Sequence, residues 1–329
     1  MLKIGIAGIG HLGKHHLRLL GEIPDVEIAG CYDSEPDVQK KLQDEGYQVF
    51  ETYDELVSAS QAVDIVVPTN MHYPLASKAL ESGCHVFLEK PITETVEHAR
   101  ELVALAEENK LILQVGHIER FNPALASLRG ITLNPRFIES HRLAQFDPRG
   151  TEVAVILDLM IHDIDVILAL VDSPVKDVQA SGVPVITDSA DIANARVTFE
   201  NGCVANITAS RISQNTMRKM RIFQPSAYIS IDFHQGNTEI YRLRDESEES
   251  TTEMPVVMGK MEYKGASKYI VYEQPKAEER NALLEELKAF VHSIETGEPP
   301  LVSGKDGVKA LEVAQLIQQK VKESSVLNV

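Results

Sequence analysis

A strand, a glycine turn and a helix follow one another without a gap at the start of the chain, and few folds accommodate that order. Lys3–Ala7 is a short apolar strand, Gly8-Ile9-Gly10-His11-Leu12-Gly13 comes next, and a helical pattern runs to about Leu20. Each glycine answers a separate physical need: Gly8 permits the tight turn, Gly10 lets backbone approach a diphosphate, and Gly13 lets the helix lie close against the strand. The first helical turn, with His11 and Leu12, then offers unpaired N–H groups and the positive end of the helix dipole. A second strand, Val26–Tyr32, runs into Asp33, 20 residues beyond Gly13. A carboxylate at that spacing grips the adenosine ribose hydroxyls of a dinucleotide. It also repels a 2′-phosphate, and Ser34-Glu35-Pro36-Asp37 supplies no arginine to receive one. The pattern therefore favours NAD over NADP.

Alternation continues beyond this unit. The sequence predicts strands at Val49–Phe50, Val63–Pro68, His85–Glu89 and Leu111–Gly116, with helices at Asp54–Ser58, Tyr73–Ser82 and Thr95–Glu108. Such a βα series gives an α/β fold with a doubly wound parallel sheet, whose ligands bind at the carboxyl ends of the strands. Two of those ends are polar: Val63–Pro68 runs into Thr69-Asn70-Met71-His72, and His85–Glu89 into Lys90-Pro91. Thr69, Asn70, His72, Glu89 and Lys90 thus join the glycine turn and Asp33 as candidate cofactor contacts. Lys90 stands between an apolar strand and a proline that fixes the chain's exit. From there it can orient a hydroxyl or carbonyl and favour a neighbouring anion.

A chain of 329 residues exceeds one ordinary core, so two domains are expected, with boundaries at 1–118 and 119–329. The formal charge of −17 argues against nucleic-acid backbone binding. Cys31, Cys84 and Cys203 are scattered and odd in number, which suits free thiols in a reducing compartment. With no basic leader before the first strand and no apolar run of membrane length, a cytoplasmic protein is expected, with no membrane partner.

The second half centres on Val153–Val171, an apolar helix carrying four ionisable residues. At about 100° per residue, Asp158, His162 and Asp165 share one face and Asp163 points nearly opposite. Buried charge is costly unless paired or put to use. The stripe is therefore either an internally satisfied seam or a catalytic base on a rigid element, with Asp165 orienting His162. Around it the sequence predicts a short helix at Asn122–Leu128 and strands at Asn134–Phe146, Val175–Val185, Ile192–Phe199, Met220–Phe223 and Tyr228–Phe233. A hairpin turns at Asn201-Gly202, Asp147–Gly150 is a turn, and residues 245–252 form a solvated acidic loop. Amphipathic helices follow at Asn281–Thr296 and Lys305–Lys322. An antiparallel sheet covered by helices on one face leaves the other to a second copy, so a homodimer or homotetramer through that sheet is expected.

Taken together, GIGHLG at 8–13, Asp33, TNMH at 69–72, LEKP at 88–91, GHIERFNP at 116–123 and Asp158-x-x-x-His162-x-x-Asp165 resemble the Gfo/Idh/MocA oxidoreductases. The resemblance implies a nicotinamide-dependent enzyme with an N-terminal Rossmann domain and a C-terminal α/β domain built on an open-faced, mostly antiparallel sheet. It also implies that Lys90, Asp158 and His162 line the active site, and it requires no metal. Two departures stand out. Met160 occupies a position that is glycine in many members, and the usual T-P-x-x-x-H loop is the shorter Thr69–His72. VGHIERFNPAL and DLMIHDID are similar to members that oxidise the 3-hydroxyl of UDP-N-acetylglucosamine. A diphosphate substrate calls for cations, of which Arg120 and Arg149 are the leading candidates and Arg142, Arg211, Arg218 and Lys219 the others. Three competing readings remain at this point: a dehydrogenase of a free polyol, inositol or dihydrodiol; a dinucleotide-binding sensor; and a metal site using His162, Asp158 and His117 or His72.

Overall fold

The computed structural model describes residues 1–147, 153–245, 255–263, 265–276 and 280–326. Its contacts divide the chain into Met1–Ile118 with Asn281–Glu312, and Glu119–Arg280 with Val313–Val329.

The first unit carries β1 (Leu2–Ala7), α1 (His11–Leu20), β2 (Val26–Tyr32), α2 (Pro36–Asp44), α3 (Tyr53–Ala59), β3 (Ala62–Ile65), α4 (His72–Glu81), β4 (His85–Glu89), α5 (Val96–Glu108) and β5 (Leu113–Gly116). Local chemistry sets these bounds: Thr52 and Glu55 close a capping box on α3, the Thr95 hydroxyl caps α5, and Pro36 opens α2. The strands pair in parallel in the order β2-β1-β3-β4-β5. The expected Val49–Phe50 strand reduces to one parallel bridge between Val49 and Cys31. From β1 the chain steps out to β2 and returns to the other side at β3, so the carboxyl ends of β1 and β3 flank the crevice where such sheets take ligands.

The second unit holds α6 (Pro123–Ala126), β6 (Phe137–Leu143), α7 (Ile161–Val171), β7 (Val175–Val183), β8 (Ile192–Phe199), β9 (Val204–Ser210), β10 (Met217–Gln224), β11 (Ala227–Asp232), β12 (Asn237–Arg244), β13 (Val256–Tyr263) and β14 (Ala266–Glu273). These strands form one nine-stranded sheet, order β13-β14-β12-β11-β10-β6-β9-β8-β7, antiparallel except for β6 beside β9. The hairpin of β8 and β9 turns at Asn201-Gly202, with Gly202 at φ 82°. Alternation buries Ile138, Ile222, Ile229 and Ile240 on one face. Strands β12, β13 and β14 were not expected, because Thr, Arg, Lys and Glu interrupt their apolar alternation.

The helix expected over Val153–Val171 is two elements. A π-helical turn, Ile156–Met160, precedes α7, which ends at Asp172 in the left-handed region. Helix α8 (Ala282–Thr296) starts at an Asn281 cap, and α9 (Gly304–Val326) follows. Leu287 and Phe290 of α8 pack with Ile4, Ile6, Leu17 and Leu20, and Phe290 meets Phe87 edge-on at 5.8 Å. Segment 281–312 therefore completes the first unit's core, where a single uninterrupted domain over 119–329 was expected. The amphipathic face of α8 was legible; which sheet it covers was not. Among the described residues, no helix is long and apolar enough to cross a membrane.

Candidate active site

The glycine turn has the shape its spacing demands. Gly8 adopts φ 88°, where a side chain is strained and where a Cβ would stand 2.5 Å from the Val66 carbonyl oxygen. A Cβ on Gly13 would collide with the Gly8 carbonyl oxygen, so α1 lies as close to β1 as backbone allows. A Cβ on Gly10 would meet nothing within 4 Å. That open space at the start of α1, lined by exposed His11 and Leu12, fits a dinucleotide diphosphate. Asp33 is held in place by two backbone donors. The Ile9 N–H donates to Oδ2 at 2.7 Å and the Glu35 N–H to Oδ1 at 2.9 Å. Each oxygen keeps a lone pair for a ribose hydroxyl. The turn and the acid thus fit NAD as one assembly.

At the ends of β3 and β4, Thr69 is half-buried and Asn70 exposed in a short 3₁₀ turn, Thr69–Met71. His72 departs from expectation. It is 1% exposed, with Nδ1 2.9 Å from the Pro91 carbonyl oxygen and Nε2 2.9 Å from that of Val67. Burial pushes its pKa down. The ring packs between two strand ends, and a neutral imidazole has one N–H to donate to either carbonyl. Glu89 and Lys90 are half-buried, and Glu89 Oε2 accepts the Lys90 N–H at 3.1 Å.

In the second unit, Asp158 lies on the π-helical turn and His162 on the first turn of α7, both half-buried, with Met160 fully buried between them. Single π turns inside helices recur at functional sites because the widened turn re-aims side chains. Ion pairs anchor the helix on both flanks. Asp163, expected on the far face, is 2% exposed and takes Arg142 Nε at 2.7 Å and Nη2 at 3.3 Å. Arg142 Nη1 donates to Glu119 at 2.8 Å. Asp165 Oδ1 lies 3.5 Å from Arg120 Nη1. Of the cations expected at a substrate diphosphate, Arg142 is thus buried on two carboxylates and Arg120 is an internal ion-pair partner. Arg211 is buried and donates to the Val153 carbonyl, and Lys219 pairs with Asp232 at 3.0 Å. Buried guanidinium groups seek carboxylates, and sequence spacing alone does not show which arginines are buried. Arg218 is exposed. Arg149, the Asp147–Gly150 turn beyond Asp147 and most of the acidic loop at 245–252 lie outside the described residues. Among the described residues, no three His, Cys, Asp or Glu side chains gather in a metal-binding group.

His16 and Asp64, which no sequence motif singled out, meet in the core with Nδ1 2.9 Å from Oδ2. A signal was present: one aspartate within the apolar run Ala62–Val67 must find a partner.

Two family models match the chain: an oxidoreductase family's NAD-binding Rossmann fold over residues 2–117, and that family's C-terminal α/β domain over 145–329. The UDP-N-acetylglucosamine 3-dehydrogenase of Acidithiobacillus ferrooxidans is 34% identical, over 97% of both chains. A solved structure of that enzyme superimposes with a TM-score of 0.86 over 98% of each chain. The myo-inositol 2-dehydrogenase of Thermotoga maritima is 24% identical, over 98% of this chain and 97% of its own.

Proposed function

The chain belongs to the Gfo/Idh/MocA family of NAD-dependent oxidoreductases, and on that premise we propose that its substrate is a nucleotide sugar, UDP-N-acetylglucosamine or a close relative, oxidised at the 3-hydroxyl. The observation carrying this reading is the 34% identity maintained over 97% of both chains, alongside a TM-score of 0.86. NAD, when bound at the glycine turn and Asp33, supplies the hydride acceptor. His162 takes the hydroxyl proton, since an imidazole is the side chain suited to a base near neutrality. Lys90 hydrogen-bonds the same oxygen and steadies its developing negative charge. Asp158, one turn before His162, orients the imidazole or a substrate hydroxyl. Parallel assays of His162→Ala and Lys90→Ala test the assignment: each loses turnover by about 100-fold or more, and wild-type turnover in both removes it.

We place the enzyme in the cytoplasm, where its three buried free cysteines stay reduced, and as a homodimer or homotetramer. The support for assembly is the outer face of the nine-stranded sheet. Phe137, Phe223, Tyr228, Tyr241 and Tyr272 run across five strands with ring centroids 5.0–5.8 Å apart, and Phe223 is 37% exposed. An aromatic row on a sheet face left partly exposed by the described residues suits an isologous interface. Light scattering at micromolar concentration decides: a monomer refutes it.

A further inference from the structure

Three ionisable groups outside the proton-transfer chemistry converge beneath the end of β4. His16 on α1 is 0% exposed. Its Nδ1 lies 2.9 Å from Asp64 Oδ2 on β3, and its Nε2 lies 3.4 Å from Oε1 of Glu89, the last residue of β4. The far oxygen of Glu89 accepts the Lys90 N–H at 3.1 Å. On β5, Gly116 leaves the Glu89 carboxylate its room, since a Cβ there would stand 2.8 Å from Oε1. One residue past Lys90, the Pro91 carbonyl oxygen lies 2.9 Å from His72 Nδ1. Burial alone would lower the imidazole pKa of His16; the Asp64 charge and hydrogen bond, with the charge of Glu89, outweigh it and lift the pKa to about 10. Burial pushes the Asp64 carboxyl up as well, so the pair holds its proton tightly between them, and the core of this sheet places Asp64, His16 and Glu89 in a line.

A buried array of this kind is costly, and apolar side chains of similar volume would pack a βαβ core at least as well. Its arrangement has a direction: Asp64 is fully buried, Glu89 is 12% exposed, and beyond Glu89 comes Lys90. The geometry points to His16 as a positioning residue for Lys90. Anchored by Asp64, the imidazole stands against the Glu89 carboxylate at 3.4 Å, a charge contact and not a hydrogen bond, and Glu89 accepts from the main chain from which the Lys90 side chain projects. This role rests on the assignment of Lys90 to the reacting oxygen. Where a group must meet a developing charge, small displacements of its support cost about 100-fold in rate.

The test compares wild type with His16→Gln and with His16→Gln/Asp64→Asn. The single variant leaves Asp64 buried without its cation and loses thermal stability. The double variant removes that carboxylate and regains it, while Glu89 stays unclamped. Three readouts are taken: NADH affinity by fluorescence, kcat and KM with UDP-N-acetylglucosamine, and the ¹³C resonance of reductively methylated Lys90, assigned with Lys90→Arg. The expected result for the double variant is near-native melting and NADH affinity, an unchanged KM, a kcat lowered about 10- to 100-fold, and a shifted or broadened Lys90 resonance. A purely structural role predicts that kcat returns with stability, and that result overturns the proposal. So does a lowered kcat with an unmoved Lys90 resonance, because the effect then bypasses Lys90. Should the double variant not fold, Glu89→Gln removes the charge at the link's more exposed end and is read by kcat and the Lys90 resonance alone, since Glu89 is itself a candidate cofactor contact. If the wild-type protein turns over no nucleotide sugar, the substrate reading fails, while the Lys90 resonance, which needs no substrate, still decides the positioning.

Discussion

Arg142→Met perturbs the polar core of the second unit at a single point. Arg142 is 3% exposed, and its guanidinium makes three hydrogen bonds, two to Asp163 and one to Glu119, which are themselves 2% and 6% exposed. Methionine keeps most of the volume and removes all three bonds. Glu119 retains the Asn122 amide at 2.9 Å, but neither acid keeps the charge that compensated its burial. Removing one partner of a buried pair costs about 3–5 kcal/mol, and two stranded carboxylates put this case toward the upper end. At about 2–4 °C per kcal/mol for a unit of this size, the melting temperature falls by roughly 10 °C or more. Differential scanning fluorimetry at neutral pH reads the loss directly. The deficit narrows as pH falls, because protonation neutralises the stranded acids, and Arg142→Met/Asp163→Asn/Glu119→Gln recovers most of it. Turnover drops as well, since Asp163 adjoins His162 on α7. A single variant melting within about 2 °C of wild type refutes the claim that this ion-pair group holds the helix.

Other outcomes follow from the first unit. Gly10→Ala keeps the wild-type melting temperature, because its methyl group meets nothing within 4 Å, yet weakens NAD binding by calorimetry. Gly13→Ala drives a methyl into the Gly8 carbonyl oxygen and lowers melting sharply; similar behaviour of the two variants contradicts the assignment of the open space to the diphosphate. Asp33→Asn weakens NAD binding and narrows its margin over NADP, since the charge that repels a 2′-phosphate is gone; an unchanged affinity ratio contradicts this. His16 is raised to about 10 by its carboxylate partners. Its stabilisation is therefore complete below the ordinary histidine value near 6.5 and is lost as pH climbs toward 10. Urea midpoints should fall across that window in wild type and stay flatter in His16→Gln.

Strands β2 and β4 were legible to the residue, because an apolar run bounded by turn chemistry is a local signal and the glycine turn between strand and helix fixes the topology around it. Strands β12 to β14 were not, since polar side chains interrupt their alternation on a half-exposed face. For α8 the apolar stripe was visible but its destination is a tertiary fact, settled when Phe290 meets Phe87. The site divides in the same way. Lys90 and the glycine turn follow from their place at strand ends. The partners of the polar helix do not: an α-helical projection turned Asp163 away from the other acids, yet α7 is buried around most of its circumference, so Asp163 too faces the interior and needs Arg142. The π turn at Ile156–Met160 further breaks the even spacing on which that projection relied. His72 shows the converse. It sits at a predicted ligand edge, and the fold packs its ring between the carbonyls of Val67 and Pro91.

NADH formation by the purified protein given NAD with UDP-N-acetylglucosamine, set against the same assay with myo-inositol and with glucose, decides both substrate and site. The NADH absorbance is expected to rise with the nucleotide sugar, and His162→Ala and Lys90→Ala are expected to abolish the rise. Turnover of myo-inositol or glucose with none of the nucleotide sugar would contradict the assignment.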